Sequence, residues 1–184
     1  MELKDVIGKR KSVRKYKNKA VTDKQIKTIL ESARLAPSGK NRQPWRFVVL
    51  RGDRKDAAAQ VMLDWAEEHS GEPLVSGVTA TAKVIKNAPV LILVYRVINE
   101  ERWWNSDVLS IGAAVEHMLL TAADIGLGSL WIGVMTYSDV MTDAIGRIAG
   151  IDGRFAFSTA VALGYADEEP SPRPRLSLEE LILA

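Results

Sequence analysis

The chain has 184 residues, 47% hydrophobic and 26% charged; this composition and length predict a single globular domain over residues 1–184. The absence of cysteine excludes disulfides and thiolate chemistry, and two histidines are too few for a histidine-rich metal site. The longest apolar run, residues 88–95, is too short to cross a bilayer, and the first residues lack a secretory signal, so we expect a cytoplasmic protein.

The basic residues are concentrated at the start of the chain, although the net charge is only +2. Residues 1–20 contain eight basic and two acidic residues, whereas the remainder contains 17 basic and 21 acidic residues. Such a segment can bind nucleic acid, form a solvated face or bind a phosphate group. Charge distribution alone leaves the three alternatives open.

Helical and extended patterns alternate along the first half of the chain. The spacing Thr22-x-x-Gln25 is typical of a capping box, and the residue before a proline avoids helical angles. In chain order the predicted elements are a helix over residues 2–9, a helix from Thr22 that stops before Pro37, a strand over 45–50, a helix capped by Asp53 and running to about Glu68, a helix over 74–87 and a buried strand over 89–95.

A loop over residues 98–107 opens the second half. The helix predicted over 108–125 is apolar around most of its surface, which indicates a central position or a subunit interface. A strand over 129–134, a helix over 138–149 and a strand over 155–165 are predicted to follow. The tail contains three prolines and ends in LSLEELILA, an apolar segment that needs a surface to pack on. About four strands and five or six helices make the fold class α+β.

The segment KRKSVRKY, residues 9–16, is the densest basic cluster. If it is extended, alternation places Arg10, Ser12 and Arg14 on one face and Lys11 on the other, from which its long stem can reach around. Two guanidinium groups beside a hydroxyl suit a phosphate monoester. If the segment is helical, Ser12 points elsewhere. A solvated basic strand is the alternative to a phosphate site.

Residues 37–44, PSGKNRQP, are predicted to form an ordered loop stiffened by proline at both ends. Asn41 and Gln43 offer paired amide donors and acceptors, and Ser38 and Gly39 allow a ligand to approach the backbone. Rigid amides next to a tryptophan suit the edge of a planar heterocycle. An ordinary structured loop is the alternative.

The segment GLGSLWIG, residues 126–133, lacks the GxGxxG spacing of a dinucleotide-binding turn, and the chain has no Walker motif and no GxSxG elbow. These absences argue against a Rossmann dehydrogenase, a kinase or ATPase, and a serine hydrolase. His117 is predicted to be packed rather than a metal ligand. Trp103 and Trp104 are predicted to cover something, as lid or interface residues.

Four segments of the chain resemble the FMN-dependent nitroreductase family: KRKSVRKY, APSGKNRQPWRFVVL, DVLSIGAAVEHMLLTAADIGLGSLWIG and ALGYADEEPSPRPRLSLEEL. The resemblance covers most of the chain outside residues 53–106. It implies an α+β, nitroreductase-like α/β sandwich with a central mixed sheet flanked by helices. It also implies an intertwined homodimer with two FMN sites at the subunit interface, in which the tail after Pro174 packs on the partner.

The same resemblance implies which residues bind the cofactor. Those at the FMN phosphate are Arg10, Lys11, Ser12, Arg14, Arg173 and Arg175. Those contributed by the partner subunit along the flavin ring are Pro37, Ser38, Gly39 and Asn41, to which we add Gln43 for its amide. The backbone of Ile132 and Gly133 is expected beside the ring.

The implied activity is NAD(P)H-driven two-electron reduction of electron-poor acceptors such as nitroaromatics or quinones. In the implied ping-pong cycle, hydride passes to flavin N5 and the oxidised nicotinamide leaves before the acceptor binds. No side chain is needed as a nucleophile, and Arg14 is a candidate for electrostatic tuning of the flavin. The alternatives are flavin fragmentation, dehydrogenation or dehalogenation on the same scaffold, flavin storage or sensing without turnover, and nucleic-acid binding by the basic segment.

Overall fold

A computed structural model describes residues 2–98, 103–171 and 173–183. In chain order its elements are α1 Leu3–Lys9, α2 Asp23–Arg34, β1 Trp45–Leu50, α3 Gly52–Glu68, α4 Val75–Asn87, β2 Val90–Val97, α5 Trp104–Asp124, β3 Gly128–Ile132, α6 Asp139–Ala149, β4 Phe155–Gly164 and α7 Leu178–Leu181. Short 3₁₀ turns lie at Gly39–Asn41 and Val134–Tyr137.

The predicted elements are confirmed where a local signal was strong. At the start of α2, the Thr22 hydroxyl accepts a bond from the Gln25 N–H at 3.2 Å, and the Gln25 side chain accepts one from the Thr22 N–H at 3.0 Å. The continuous apolar run of β2 is explained by the burial of its first six residues, because helices cover both faces of the sheet.

Three local predictions were wrong. The N-cap of α3 is Arg51 rather than Asp53, because Gly52 takes a positive φ of 49° and Asp53 then lies in the first turn. The predicted loop over 98–107 is helical from Trp104 onward, while residues 99–102 lie outside the described residues. The described residues contain seven α-helices rather than five or six, partly because a Ser177–Glu180 capping box forms the single turn α7 in the tail.

The sheet has the strand order β1-β2-β4-β3, and all three strand pairs are antiparallel. The predicted mixed sheet is therefore wrong for the four strands that one chain contributes. Among the described residues, the parallel pairing is the isolated bridge between Ser12 and Ser129. This bridge attaches the N-terminal segment to the edge of the sheet beside β3.

Two hydrophobic cores lie on opposite faces of the sheet. One core packs α3, α4 and α6 on one face, and the other packs α2 and α5 on the opposite face. Within the described ranges, none of the helices has the length and hydrophobicity needed to span a membrane. This three-layer arrangement leaves one side of α5 available at the surface.

Candidate functional site

The N-terminal basic segment is extended, and its backbone is fixed to β3 and to a side chain at the end of α4. The Val13 N–H donates to the Ser129 carbonyl at 2.9 Å, and the Tyr16 N–H donates to the Asn87 side chain at 2.6 Å. Val13 and Tyr16 are buried, which anchors the segment between its basic residues. This confirms that the segment is extended rather than helical.

The basic segment and the C-terminal region together line one cleft of about 320 Å³. Its lining residues are Arg10, Lys11, Ser12, Arg14, Glu168, Pro170, Ser171, Arg173 and Arg175. The predicted N-terminal and C-terminal residues of a phosphate site therefore lie together, although they are more than 150 positions apart in the chain. Lys11 also lines the cleft, in agreement with the expectation that its long side chain can reach around from the other face.

Five cationic side chains and one carboxylate line this cleft. The Glu168 side chain accepts backbone bonds from the N–H groups of Arg14 and Lys15, the latter at 3.1 Å. Arg14 also donates from Nη1 to the Ser12 carbonyl at 3.2 Å. The excess of positive charge is what a doubly charged anion requires.

The loop over residues 37–44 has an unusual backbone. Lys40, Asn41 and Gln43 all have positive φ, at 53°, 53° and 48°. The Gln43 N–H donates to the Ser38 hydroxyl at 3.0 Å, which closes the loop. Lys40, Asn41 and Gln43 are exposed at its tip, while Ser38 and Gly39 are half-buried.

Within one chain, the loop and the basic cleft lie towards opposite ends of α5. The loop contacts the first turn, where Arg42 pairs with Asp107. Arg10 and Lys11 also line a cavity with Ala123, in the last turn. From Asp107 to Ala123 the helix rises about 24 Å. The structure therefore does not bring the predicted ring-binding and phosphate-binding residues together in one chain.

Ile132 and Gly133 lie where β3 ends. Gly133 lines a cavity of about 430 Å³ with Gly112, Trp104 and Trp131. The Trp131 indole N–H donates to the Thr159 hydroxyl at 2.7 Å, and that hydroxyl donates to the Ile132 carbonyl at 2.8 Å. Because the Ile132 side chain is buried, only its backbone can contribute to a site.

His117, Trp103 and Trp104 lie in three different environments. His117 is packed, with Nδ1 2.9 Å from the Ser32 carbonyl oxygen. The Arg42 guanidinium lies 4.2 Å from the centroid of the Trp103 ring. Trp103 therefore covers another side chain, as predicted. Trp104 is half exposed and lines the cavity beside Gly133.

Comparisons with known proteins identify the family of this chain. The sequence profile of the Nitroreductase family matches residues 7–165. The chain belongs to the nitroreductase family. An Archaeoglobus fulgidus protein, provisionally named NADH dehydrogenase/NAD(P)H nitroreductase, is 30% identical over 164 residues, which cover 89% of this chain and 85% of the relative.

Two solved structures extend the similarity of this nitroreductase-family chain. A provisionally named nitroreductase from Desulfovibrio desulfuricans, solved in complex with FMN, is 30% identical, with a TM-score of 0.76 and coverage of 100% of this chain and 96% of that one. A BluB-like flavoprotein from Clostridium difficile is also 30% identical, with a TM-score of 0.80 and coverage of 100% and 99%. The nitroreductase-like fold is therefore shown.

Sequence reasoning missed four residues of the site in this nitroreductase-family chain. Glu168 lies in the basic cleft, Asn87 holds the backbone of the basic segment, and Arg42 pairs with Asp107 under the loop. Each contact joins positions at least 65 residues apart, so no local spacing reveals it. The DEE run after the last strand was the only available sign of Glu168.

Proposed function

We propose that this protein uses NAD(P)H to reduce electron-poor acceptors such as nitroaromatics or quinones by two electrons, with FMN as its cofactor, in a ping-pong cycle. Its membership of the nitroreductase family makes it a flavin oxidoreductase. The observation that carries the proposal is the convergence of six predicted residues on one cleft. They are Arg10, Lys11, Ser12, Arg14, Arg173 and Arg175.

The cleft fits the phosphate end of FMN. A phosphate monoester carries close to two negative charges at neutral pH, and the lining contributes five cations against the one carboxylate of Glu168. The Ser12 side chain adds a hydroxyl donor. Arginine and lysine side chains form strong charge-assisted hydrogen bonds with phosphate oxygens. The residues present therefore match the group.

When bound, FMN supplies the redox chemistry by taking a hydride from NAD(P)H and passing two electrons to the acceptor. The protein's residues would bind FMN and orient its ring. The basic cleft would hold the phosphate, the backbone of Ile132 and Gly133 would lie beside the ring, and Arg14 would add positive electrostatic potential. The Thr159 hydroxyl keeps the Ile132 carbonyl engaged, which fixes this backbone.

A homodimer would complete the site. The loop over 37–44 and the basic cleft are towards opposite ends of α5 in one chain, so a twofold axis across α5 would bring the loop of one chain to the cleft of the other. In this arrangement Pro37, Ser38, Asn41 and Gln43 of one subunit would contact the ring held by its partner. A half-site in each chain is the signature of an interface site.

Exposed apolar residues support this interface. On α1, α5 and β3 they are Leu3, Ile7, Trp104, Val108, Leu109 and Trp131. Leu109 is 75% exposed, and Trp104, Val108 and Trp131 line one cavity together. Large apolar side chains exposed together in this way mark protein–protein contacts.

The tail offers a second contact for the partner. Leu176, Leu178, Leu181, Ile182 and Leu183 are exposed. A groove of about 880 Å³ runs between α2 and the edge strand β1, with Ile26, Leu30, Phe47 and Val49 among its apolar lining residues. Five basic and two acidic side chains also line it, and the tail carries Glu179 and Glu180. We infer that the tail of one subunit covers this groove on the other.

Another flavin chemistry, or storage without turnover, is the second candidate. The observation behind it is that the chain is 30% identical to a BluB-like flavoprotein and also 30% identical to the FMN-bound nitroreductase. Sequence identity therefore does not separate the two kinds of flavin chemistry. The products separate the candidates. Acceptor reduction leaves the flavin intact through many turnovers, fragmentation consumes it, and storage shows no acceptor-dependent oxidation of NAD(P)H.

The first experiment is the absorption spectrum of the purified protein, followed by anaerobic addition of NADH or NADPH. We expect a flavin spectrum that bleaches with at least one nucleotide and returns when a quinone or nitroaromatic is added. A protein that stays colourless after incubation with excess FMN would contradict the proposal.

The second experiment tests the phosphate assignment. Arg10→Ala and Arg14→Ala should each weaken FMN binding by about 1.5 to 3 kcal/mol, roughly 10- to 150-fold, because each removes a charge-assisted hydrogen bond. Riboflavin, which lacks the phosphate, should bind both variants as it binds the wild type. The control is Arg154→Ala, an exposed arginine paired with Asp152 outside the cleft. Unchanged FMN affinity in both cleft variants would refute the assignment.

A further inference from the structure

The loop over residues 37–44 adopts a backbone that its own sequence does not favour. Lys40, Asn41 and Gln43 all lie in the left-handed region, where the Cβ of an ordinary residue crowds the backbone. Asparagine tolerates this conformation better than lysine or glutamine. A segment with three such residues keeps its shape only if its surroundings hold it.

The contacts that hold it come from α5. Arg42 Nη2 donates to the Asp107 carboxylate, and Asp107 is fully buried. The Arg42 guanidinium also lies 4.2 Å from the centroid of the Trp103 ring, and Lys40 Nζ lies 4.7 Å from the same centroid. Two cations on one indole and one buried ion pair thus join the loop to the first turn of the helix.

The Asp107 carboxylate is the main polar group that offsets the cost of burying the Arg42 guanidinium. Nε and Nη1 of Arg42 are buried and have no hydrogen-bond partner among the described residues. A guanidinium that loses its carboxylate in such a place is poorly solvated and tends to move towards water. Since Arg42 lies between Asn41 and Gln43, such a movement would carry both neighbours with it.

We propose that Arg42, Asp107 and Trp103 form a clasp that presets the loop to bind the flavin ring, and that Arg42 and Asp107 are positioning residues for that ring. The inference rests on the proposed function for its ligand, a flavin isoalloxazine. The clasp acts on Ser38, Asn41 and Gln43, which the proposed function assigns to the ring, and among the described residues it has no contact with the phosphate cleft. It therefore affects ring affinity and loop order together.

Loop order is tested without flavin. Trypsin cleaves after Lys40 and Arg42, so the rate of cleavage at these bonds reports how often the loop opens. In the flavin-free full chain, Asp107→Asn should be cleaved there about tenfold faster than the wild type, because it weakens the clasp with little change in shape. The control is Asp152→Asn, which removes an exposed carboxylate paired with Arg154 and should leave these two cleavage rates unchanged.

Ring binding is tested with two flavins in the same variants. Asp107→Asn should weaken FMN and riboflavin binding by the same factor, about tenfold, because both carry the ring. This pattern differs from that of a cleft variant such as Arg14→Ala, which affects FMN alone. A variant that merely destabilised the fold would lower the melting temperature while leaving the loop-cleavage rate at low temperature unchanged.

A double variant covers the case in which Asp107→Asn does not fold. Arg42→Met with Asp107→Leu removes both charges and keeps apolar volume, which protein interiors often tolerate. The substitution at Arg42 removes that trypsin site, so the double variant should show the faster cleavage after Lys40 alone, with the same loss of riboflavin affinity. A wild-type rate of cleavage after Lys40 in both folded variants would overturn the clasp, and faster cleavage with unchanged riboflavin affinity would overturn its link to the flavin. If the wild type bound neither flavin, the proposed function would fail while the cleavage rates still reported on the clasp.

Discussion

Val13 packs directly against Gly128, so closely that a Cβ added to Gly128 would lie 2.8 Å from Cγ2 of Val13. Gly128 begins β3, and Val13 lies between Ser12 and Arg14 of the basic cleft. The glycine therefore permits the close approach of the N-terminal segment to the sheet. The geometry of the basic cleft depends on this contact.

Gly128→Ala should weaken FMN retention although it alters no residue of the cleft. The added methyl group pushes on a β-branched side chain whose backbone N–H is bonded to Ser129, so the whole segment must shift. We expect a loss of about 1 to 3 kcal/mol in stability from overpacking and a parallel fall in FMN affinity, measured by flavin fluorescence. The control is Gly8→Ala in α1, where the added methyl group meets nothing within 4 Å. Equal FMN affinity in Gly128→Ala and wild type would contradict this argument.

Glu168→Gln should strengthen FMN binding. The carboxylate shares a cleft with five cations and would repel a phosphate, whereas a glutamine oxygen can still accept the bonds from the Arg14 and Lys15 N–H groups. We expect a gain of about 1 kcal/mol, roughly fivefold in the dissociation constant, that shrinks as salt is added. Glu169→Gln is the matched control, since Glu169 lies outside the lining of that cleft. Weaker binding in Glu168→Gln would show that the carboxylate supports the site.

Tyr95 and Tyr16 form a matched pair for a test of buried hydroxyls. The Tyr16 hydroxyl donates to the Val13 carbonyl at 2.8 Å, whereas the Tyr95 hydroxyl is buried without a partner among the described residues. Tyr16→Phe should therefore cost about 1 kcal/mol of unfolding free energy at pH 7, and Tyr95→Phe should cost nothing or add up to about 1 kcal/mol. Chemical denaturation measures both. A larger loss in Tyr95→Phe than in Tyr16→Phe would contradict the contrast.

The buried Tyr95 hydroxyl also predicts how the free energy of unfolding depends on pH. Burial raises the pKa of Tyr95 to about 12, so the folded protein holds this proton more tightly than the unfolded chain, in which tyrosine titrates near 10. Its contribution to stability is complete below pH 10 and is lost as the pH rises through about 12. Tyr95→Phe should therefore flatten the fall in unfolding free energy between pH 10 and 12. If the free energy of unfolding fell equally between pH 10 and 12 in the wild type and the variant, Tyr95 would not be the source of this pH dependence.

Local patterns in the sequence account for most of the fold and for the N-terminal side of the cleft. The capping box at Thr22, the apolar run of β2 and the basic residues at the start of the chain are each visible within a few positions, whereas Arg173 and Arg175 were expected only from the family resemblance. Glu168 and the Arg42–Asp107 pair could not be predicted, because their partners are distant in the chain and carry no shared motif. The start of α5 was missed for the same reason, since the polar residues before Val108 resemble a loop until Asp107 is seen to be buried.

The apolar tail provides the test of the proposed dimer. If Leu178 and Leu181 pack in the groove of the partner, Leu178→Ser with Leu181→Ser should remove about 3 kcal/mol or more of association free energy, roughly 100-fold or more in the dimer dissociation constant. Sedimentation velocity measures the shift from dimer to monomer. Val140→Ser is the control, because Val140 is equally apolar and 74% exposed but lies on α6, away from α5 and the groove. A protein that is monomeric before substitution, or a dimer that the tail variant leaves unchanged, would contradict the packing of the tail on the partner.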